Sequence, residues 1–272
     1  MLSVDESEET HRALTELLAP GGDLHTPPEM LGRYFDDEAI VRTARIYMSA
    51  QQDVVQAGRA VVVSAGRPAA GKSTVLSSLN LVGYRLIDPD IAKDLLLRDA
   101  EAHGMLDYRL GPTLPDGGPI KIRELAAHVH SASNRVGDLV RHISMAAGEN
   151  IIIDGTLRWE PLCTQYITEL FDRGYAGLDV VDVELPLERA LQRARDRWWD
   201  GRQQYVEGGR FLPEDAIRAC YDGDPREGLS ARNAVKLAED AADGLGHGSL
   251  RRFDLDPVAQ APIQTKFTIY GQ

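Results

Sequence analysis

The pattern of apolar positions along the chain changes character near residue 58. Before that point it is helical. Residues 1 to about 20 mix acidic positions with Leu14, Leu17 and Leu18, an amphipathic helix closed by Pro20-Gly21-Gly22 and followed by the rigid connector Thr26-Pro27-Pro28. A second helical stretch, 28 to 57, sets Ile40, Val41, Ala44, Tyr47 and Met48 at the three- and four-residue spacings of one helix face. Then Ala60-Val61-Val62-Val63-Ser64-Ala65 forms a short β-branched run bounded by Gly58 and Gly66, the pattern of a strand buried on both faces. Similar runs cover 84–88, 150–154 and 178–184, and helical patterns over 71–79, 91–102, 122–147 and 161–173 separate them. Strands that alternate with helices predict an α/β fold with a mainly parallel sheet flanked by helices. After Pro186 the chain reads as helical and arginine-rich, with Arg189, Arg193, Arg195, Arg197, Arg202 and Arg210. Further helices are expected over 213–221 and 229–242, and Lys266-Phe267-Thr268-Ile269-Tyr270 reads as an edge strand.

Composition narrows the class of protein. The 272 residues are 43% hydrophobic and 26% charged, enough for a substantial core in a globular chain. A net charge of −12 argues against nucleic acid as the partner, because binding it depends on lysines and arginines that neutralise phosphates. No apolar run approaches the roughly 18 to 20 residues of a membrane span, and the acidic start MLSVDESEETHRAL lacks the features of a signal peptide. Cys163 and Cys220 form no C-x-x-C pair, so reduced thiols are expected. These features together predict a cytoplasmic protein that uses neither membrane nor nucleic acid.

The first strand leads into Gly66-Arg67-Pro68-Ala69-Ala70-Gly71-Lys72-Ser73-Thr74, which satisfies G-x-x-x-x-G-K-S/T at every fixed position. Glycines let the main chain wrap closely around a phosphate with its N–H groups turned inward. Lys72 supplies a cation for the β and γ phosphates, Ser73 a hydroxyl for Mg²⁺, and the following helix its N-terminal dipole. A buried strand before the motif and a helix after it make a chance glycine turn a poor alternative. ATP or GTP with Mg²⁺ is the implied ligand, and the fold class sharpens to a P-loop NTPase/kinase fold. The expected organisation is a helical extension over 1–58, a kinase domain over 59–242 with a lid at about 189–212, and a C-terminal tail over 243–272.

Ligands of open α/β sheets sit beyond the carboxyl ends of the strands. Asp88-Pro89-Asp90 ends the second strand. Either carboxylate could cap the next helix, while Asp90 is also suited to take a proton from an attacking hydroxyl. Asp154-Gly155-Thr156-Leu157-Arg158 ends the third strand. Asp154 there reads either as a magnesium-holding aspartate or as a substrate carboxylate beside Thr156 and Arg158. Asn134 and Asp138 lie four apart on one helix face, a solvated surface unless a ligand draws them together. The arginine-rich segment is either an exposed charged helix or a lid that brings permanently charged guanidinium groups to a transferring phosphoryl.

Together these motifs resemble the zeta toxin family of toxin–antitoxin kinases, through the phosphate loop, the D-x-D at Asp88-Pro89-Asp90, Ser133-Asn134-Arg135, and the G-T-x-R at Gly155-Thr156-Leu157-Arg158. The resemblance implies that Asp90 is the catalytic base and that Lys72, Arg197 and Arg210 neutralise the phosphates. It further implies that Asp88, Asn134, Asp138, Asp154, Thr156 and Arg158 bind substrate. The implied reaction phosphorylates a nucleotide-sugar such as UDP-N-acetylglucosamine, and the implied partner is a small helical antitoxin. The family's glutamates are aspartates at Asp138 and Asp154, one methylene shorter, so the acceptor stays open. A metabolic or antibiotic kinase like the chloramphenicol phosphotransferases, and a regulatory NTPase without a small-molecule acceptor, are the alternatives on the same scaffold.

Overall fold

The computed structural model describes residues 4–221, 228–256, 259 and 261–271. The chain divides into two compact units, each assembled from three stretches of sequence.

The larger unit, 48–88, 138–191 and 215–272, carries the sheet. Its six strands are β1 (Val61–Gly66), β2 (Arg85–Ile87), β3 (Ile151–Ile153), β4 (Leu178–Val183), β5 (Gly248–Leu255) and β6 (Pro262–Tyr270). Their order is β2-β3-β1-β4-β5-β6. The first five are parallel, and β6 closes one edge antiparallel to β5. Val61-Val62-Val63 of β1 stands in register with Ile151-Ile152-Ile153 of β3, so β-branched side chains meet across the centre of the sheet. Helix α10 (Leu229–Leu245) packs across β1, β4 and β5, and α7 (Pro161–Asp172) packs on α10. The short strand β2 is secured from its open side by side chains. The Gln51 amide exchanges hydrogen bonds with the Leu86 main chain at 3.0 and 2.8 Å, standing in for a neighbouring strand. Arg85 grips Glu149 with two N–H groups at 2.6 and 2.9 Å.

The second unit, 1–47, 89–137 and 192–214, is helical. It contains α1 (Val4–Leu18), α2 (Glu29–Tyr34), most of α3 (Asp37–Ser49) and α5 (Pro89–Ala102). The first turns of α6 (His130–Ala147) and the later turns of α8 (Leu187–Gln204) also belong to it. Leu14, Leu31, Leu96, Leu97, Leu106, Leu125 and Trp198 fill its core. Trp198 donates its indole N–H to Glu124 at 2.8 Å, and Arg202 pairs with both Glu124 and Asp116 at 2.7 Å. A buried tryptophan and a buried arginine thus each find a polar partner. The remaining helices are α4 (Lys72–Ser78) in the sheet unit and α9 (Glu214–Arg218).

Three expectations change. The helix expected over 28–57 is broken at Phe35, whose ψ of 57° is not helical, and Asp36 caps the restart by accepting from the Ala39 N–H at 2.9 Å. Its last residues, after Ser49, leave the helix to serve β2. The helix expected over 122–147 begins as a 3-10 segment, Ile122–Val129, with Leu125 out of helical geometry. The edge strand is longer than its sequence signal and pairs with β5, a strand hidden by two central arginines. Arg252 tolerates that position because Asp182 of β4 accepts from its Nε at 2.7 Å. Among the described residues no helix is long and apolar enough to cross a membrane, and both cysteines are buried free thiols.

Candidate active site

The phosphate loop springs from the carboxyl end of β1. Gly66 takes φ 139°, and a Cβ there would stand 2.4 Å from the Val183 carbonyl oxygen, so only glycine lets the chain leave β1 this close to β4. Ala69 holds a left-handed φ of 62°, a strained conformation for a residue with a side chain. Lys72 folds back over the loop and donates to the carbonyls of Gly66 and Arg67 at 3.1 and 3.4 Å. Ser73 and Thr74 are exposed at the start of α4, and Ala70 is buried. A tightly wrapped main chain, a lysine turned onto it and an exposed hydroxyl beside that lysine fit a nucleotide's phosphates. The Arg67 side chain is fully buried against Glu184, so only its main chain faces such a ligand.

The strand-end turn after β3 is laced to β1. The Ser64 hydroxyl donates to the Asp154 carboxylate, the Gly155 N–H donates to the Ser64 oxygen at 3.2 Å, and the Gly66 N–H donates to the Thr156 carbonyl at 3.4 Å. The Asp154 N–H donates to the Ile87 carbonyl at 2.9 Å, which sets Asp154 beside the strand end that carries half-buried Asp88. From α10, Asn233 donates to the carbonyls of Leu157 and Arg158 at 2.8 and 3.1 Å. The Arg158 side chain stays exposed. Phosphate loop, Asp154 and Thr156 are therefore brought together. Asp138 is exposed, and its carboxylate accepts from Arg141 at 2.8 Å.

In the helical unit, Asp90 opens α5 and accepts from Arg210 and, at 3.1 Å, from Lys93. Arg210 also pairs with Asp94 at 2.6 Å and donates to the Asp90 carbonyl at 3.1 Å. Arg123 bridges Asp94 and Glu207 at 2.8 and 3.2 Å, and Arg98 meets Glu207 at 2.6 Å. Burial acts to raise the Asp90 pKa, but the charges of Arg210 and Lys93 outweigh it and hold the carboxyl below its ordinary range. The expected base is thus an ionised carboxylate within reach of an expected phosphate-binding arginine. Arg197 is exposed and has no ion pair with a described residue. Asn134 is exposed beside His130, and Arg135 is tied to the Phe35 carbonyl at 3.0 Å and to Asp37. Sequence reading missed Ser64, Asp94 and Arg123. Position after a strand could have marked none of them, because each is selected by a partner distant in sequence.

The sheet order, the strand–loop–helix at 61–78 and the carboxylates at the strand ends define a P-loop kinase-like α/β protein. The resemblance to the zeta toxins holds: residues 119–238 match the family model described as Zeta toxin, a segment that includes Asn134, Asp138, the turn after β3, Arg197 and Arg210. The phosphate loop and Asp90 precede it. Among solved structures, AvrRxo1-ORF1:AvrRxo1-ORF2 with sulphate ions is similar at TM-score 0.55 and 18% identity, covering 88% of this chain and 70% of that chain. A structure from the PezAT chromosomal toxin-antitoxin system of Streptococcus pneumoniae is similar at TM-score 0.50 and 12% identity, covering 83% and 78%. A further AvrRxo1-ORF1:-ORF2 structure, with ATP, is similar at TM-score 0.50 and 16% identity, covering 95% and 67%. At such identities the likeness is one of fold. No curated protein matches the chain.

Proposed function

We propose that this protein transfers the γ-phosphoryl group of ATP or GTP to a hydroxyl of a nucleotide-sugar such as UDP-N-acetylglucosamine. The observation that carries this reading is the phosphate loop itself, closed on β4 through Gly66 with Lys72 folded onto its carbonyls. Phosphoryl transfer asks a protein mainly for positioning and charge stabilisation. Lys72, Arg210 and Arg197 supply the charge, and Asp90 accepts the proton of the attacking hydroxyl. Asp88, Asn134, Asp138, Asp154, Thr156 and Arg158 hold the acceptor.

Mg²⁺ would be held by the Ser73 hydroxyl, with Asp154 at the end of β3 as a candidate carboxylate, and would neutralise charge on the phosphate oxygens. Among the described residues no group of three or more His, Cys, Asp or Glu side chains could hold a metal alone. A magnesium ion here accordingly relies on the nucleotide's own oxygens, its usual manner of binding. The structure of similar fold from the PezAT toxin-antitoxin system supports a toxic role restrained by a small helical antitoxin, and the ATP in the AvrRxo1-ORF1:-ORF2 structure supports ATP as donor.

The test is transfer of labelled γ-phosphate to UDP-sugars and to a cell extract, read by mass spectrometry. Lys72→Ala and Asp90→Ala should each abolish the phosphorylated product, while Asp90→Ala should still bind ATP. Product formed at the wild-type rate by Asp90→Ala would remove Asp90 from the role of base.

A further inference from the structure

A buried charge cluster in the sheet unit takes no part in the chemistry above. Arg67, the second residue of the phosphate loop, has no exposed surface. Its Nη1 pairs with the Glu184 carboxylate just past β4 and donates to the Leu185 carbonyl at 3.3 Å. Its guanidinium carbon stands 4.2 Å from the centre of the Tyr221 ring. Tyr221 is itself fixed, because its hydroxyl donates to the Leu185 carbonyl at 2.8 Å. Two residues before Glu184 along the chain, Asp182 is fully buried and pairs with Arg252 of β5 at 2.7 Å.

Among the described residues, four polar atoms here have no hydrogen-bond partner: Arg67 Nε and Nη2, Asp182 Oδ1 and Glu184 Oε1. Burying such atoms is costly, and an apolar side chain of similar volume often serves stability better than a buried ion pair does. The cluster is therefore hard to account for by stability alone. Its place in the chain offers another account. The main-chain carbonyls of Gly66 and Arg67 are the ones that receive the Lys72 ammonium, so whatever fixes the Arg67 side chain also fixes the peptides on which Lys72 rests.

We propose that Arg67, clamped by Glu184 and Tyr221, is a positioning residue that holds the phosphate loop and Lys72 in the shape that receives a nucleotide. This rests on the reading of the loop as the donor site. The carboxyl pair gives the clamp a pH signature. Burial first, and then the charge of Asp182, push Glu184 up to about 8 against the pull of Arg67. With one proton on the Asp182–Glu184 pair, the cluster carries two guanidinium charges against one carboxylate. Among the described residues, the charged or titratable groups around Glu184 are Asp182 from β4, Arg67 from the loop and Tyr221 after α9. Arg252 of β5 and Glu188 of α8 act on Asp182 and Tyr221. Loss of the proton neutralises the cluster, which weakens its attraction for a polyanionic ligand.

The experiment is steady-state kinetics with ATP on the full chain, wild type against Arg67→Met, Arg67→Lys and Glu184→Gln, with melting temperatures measured in parallel. Arg67→Met should raise the KM for ATP roughly 10-fold or more, the range typical of residues that orient a ligand-binding group, with kcat changed by less than about 3-fold. Arg67→Lys should recover part of that loss. Wild-type KM should rise as the pH passes about 8, and Glu184→Gln should lack that rise. Arg67→Met with a lowered melting temperature and a KM within about 2-fold of wild type would overturn the proposal. Should Arg67→Met fail to fold, Glu184→Gln decides, since a rise in KM as steep as in wild type is incompatible with the clamp. If instead wild type fails to bind ATP, the donor-site reading is what has failed.

Discussion

Asp90, as the proposed base, meets two opposed requirements. A general base has to be ionised before reaction and still basic enough to take a proton, which favours a pKa near the working pH. Burial moves Asp90 that way, and the neighbouring Arg210 and Lys93 charges move it further back. Arg210 is held by Asp94 as well as Asp90, so it is shared between two carboxylates rather than committed to the base. Removing the lysine charge alone should therefore strengthen the base. Lys93→Met is expected to shift the acid limb of the kcat/KM profile to higher pH, and an unmoved limb would show that Lys93 does not tune Asp90. The linked stability has a definite sign. The folded pKa lies below the unfolded value of about 3.9, so this interaction stabilises above that pH and is lost as the pH falls through the folded value. Asp90 was legible in the sequence as a candidate because it follows an apolar strand. Asp94 and Arg123 were not, since a charged residue on a helix looks the same whether it faces water or a group of opposite charge.

The element that brings Arg210 to Asp90 depends on a close crossing of main chains. After α8 the chain doubles back, and a Cβ on Gly209 would stand 1.9 Å from the Trp198 carbonyl oxygen, while one on Gly201 would stand 2.6 Å from the Gly209 Cα. Neither backbone can move away easily, because Trp198 and Arg202 of α8 are locked onto Glu124. Gly209→Ala should cost about 1–3 kcal/mol or more, the usual penalty of overpacking, read as a lower urea midpoint. It should also reduce turnover, because the displaced residue adjoins Arg210. Unchanged stability would mean that the return segment is free to shift. The four apolar strands were visible in sequence because burial on both faces leaves an unbroken β-branched run. Strand β5 was not, since Arg251 and Arg252 interrupt its pattern and become acceptable only once Asp182 is across from Arg252.

At the scale of the whole molecule, binding should appear as stability. A ligand that binds only the folded chain stabilises it by about 2.7 kcal/mol at a hundredfold excess over its Kd. ATP is expected to raise the melting temperature of wild type and to leave that of Lys72→Ala unmoved, and an equal shift in both would place ATP elsewhere. The sequence by itself determined the alternating strands and helices, the phosphate loop and the carboxylates at strand ends, because periodicity and glycine spacing are local properties. It did not reveal that the chain forms two compact units, each gathered from three separate stretches. Nor did it reveal that Arg67 turns inward to Glu184 while Arg210 reaches Asp90. Those outcomes were decided by tertiary structure, because the charge that compensates a buried guanidinium lies more than a hundred residues away in the chain.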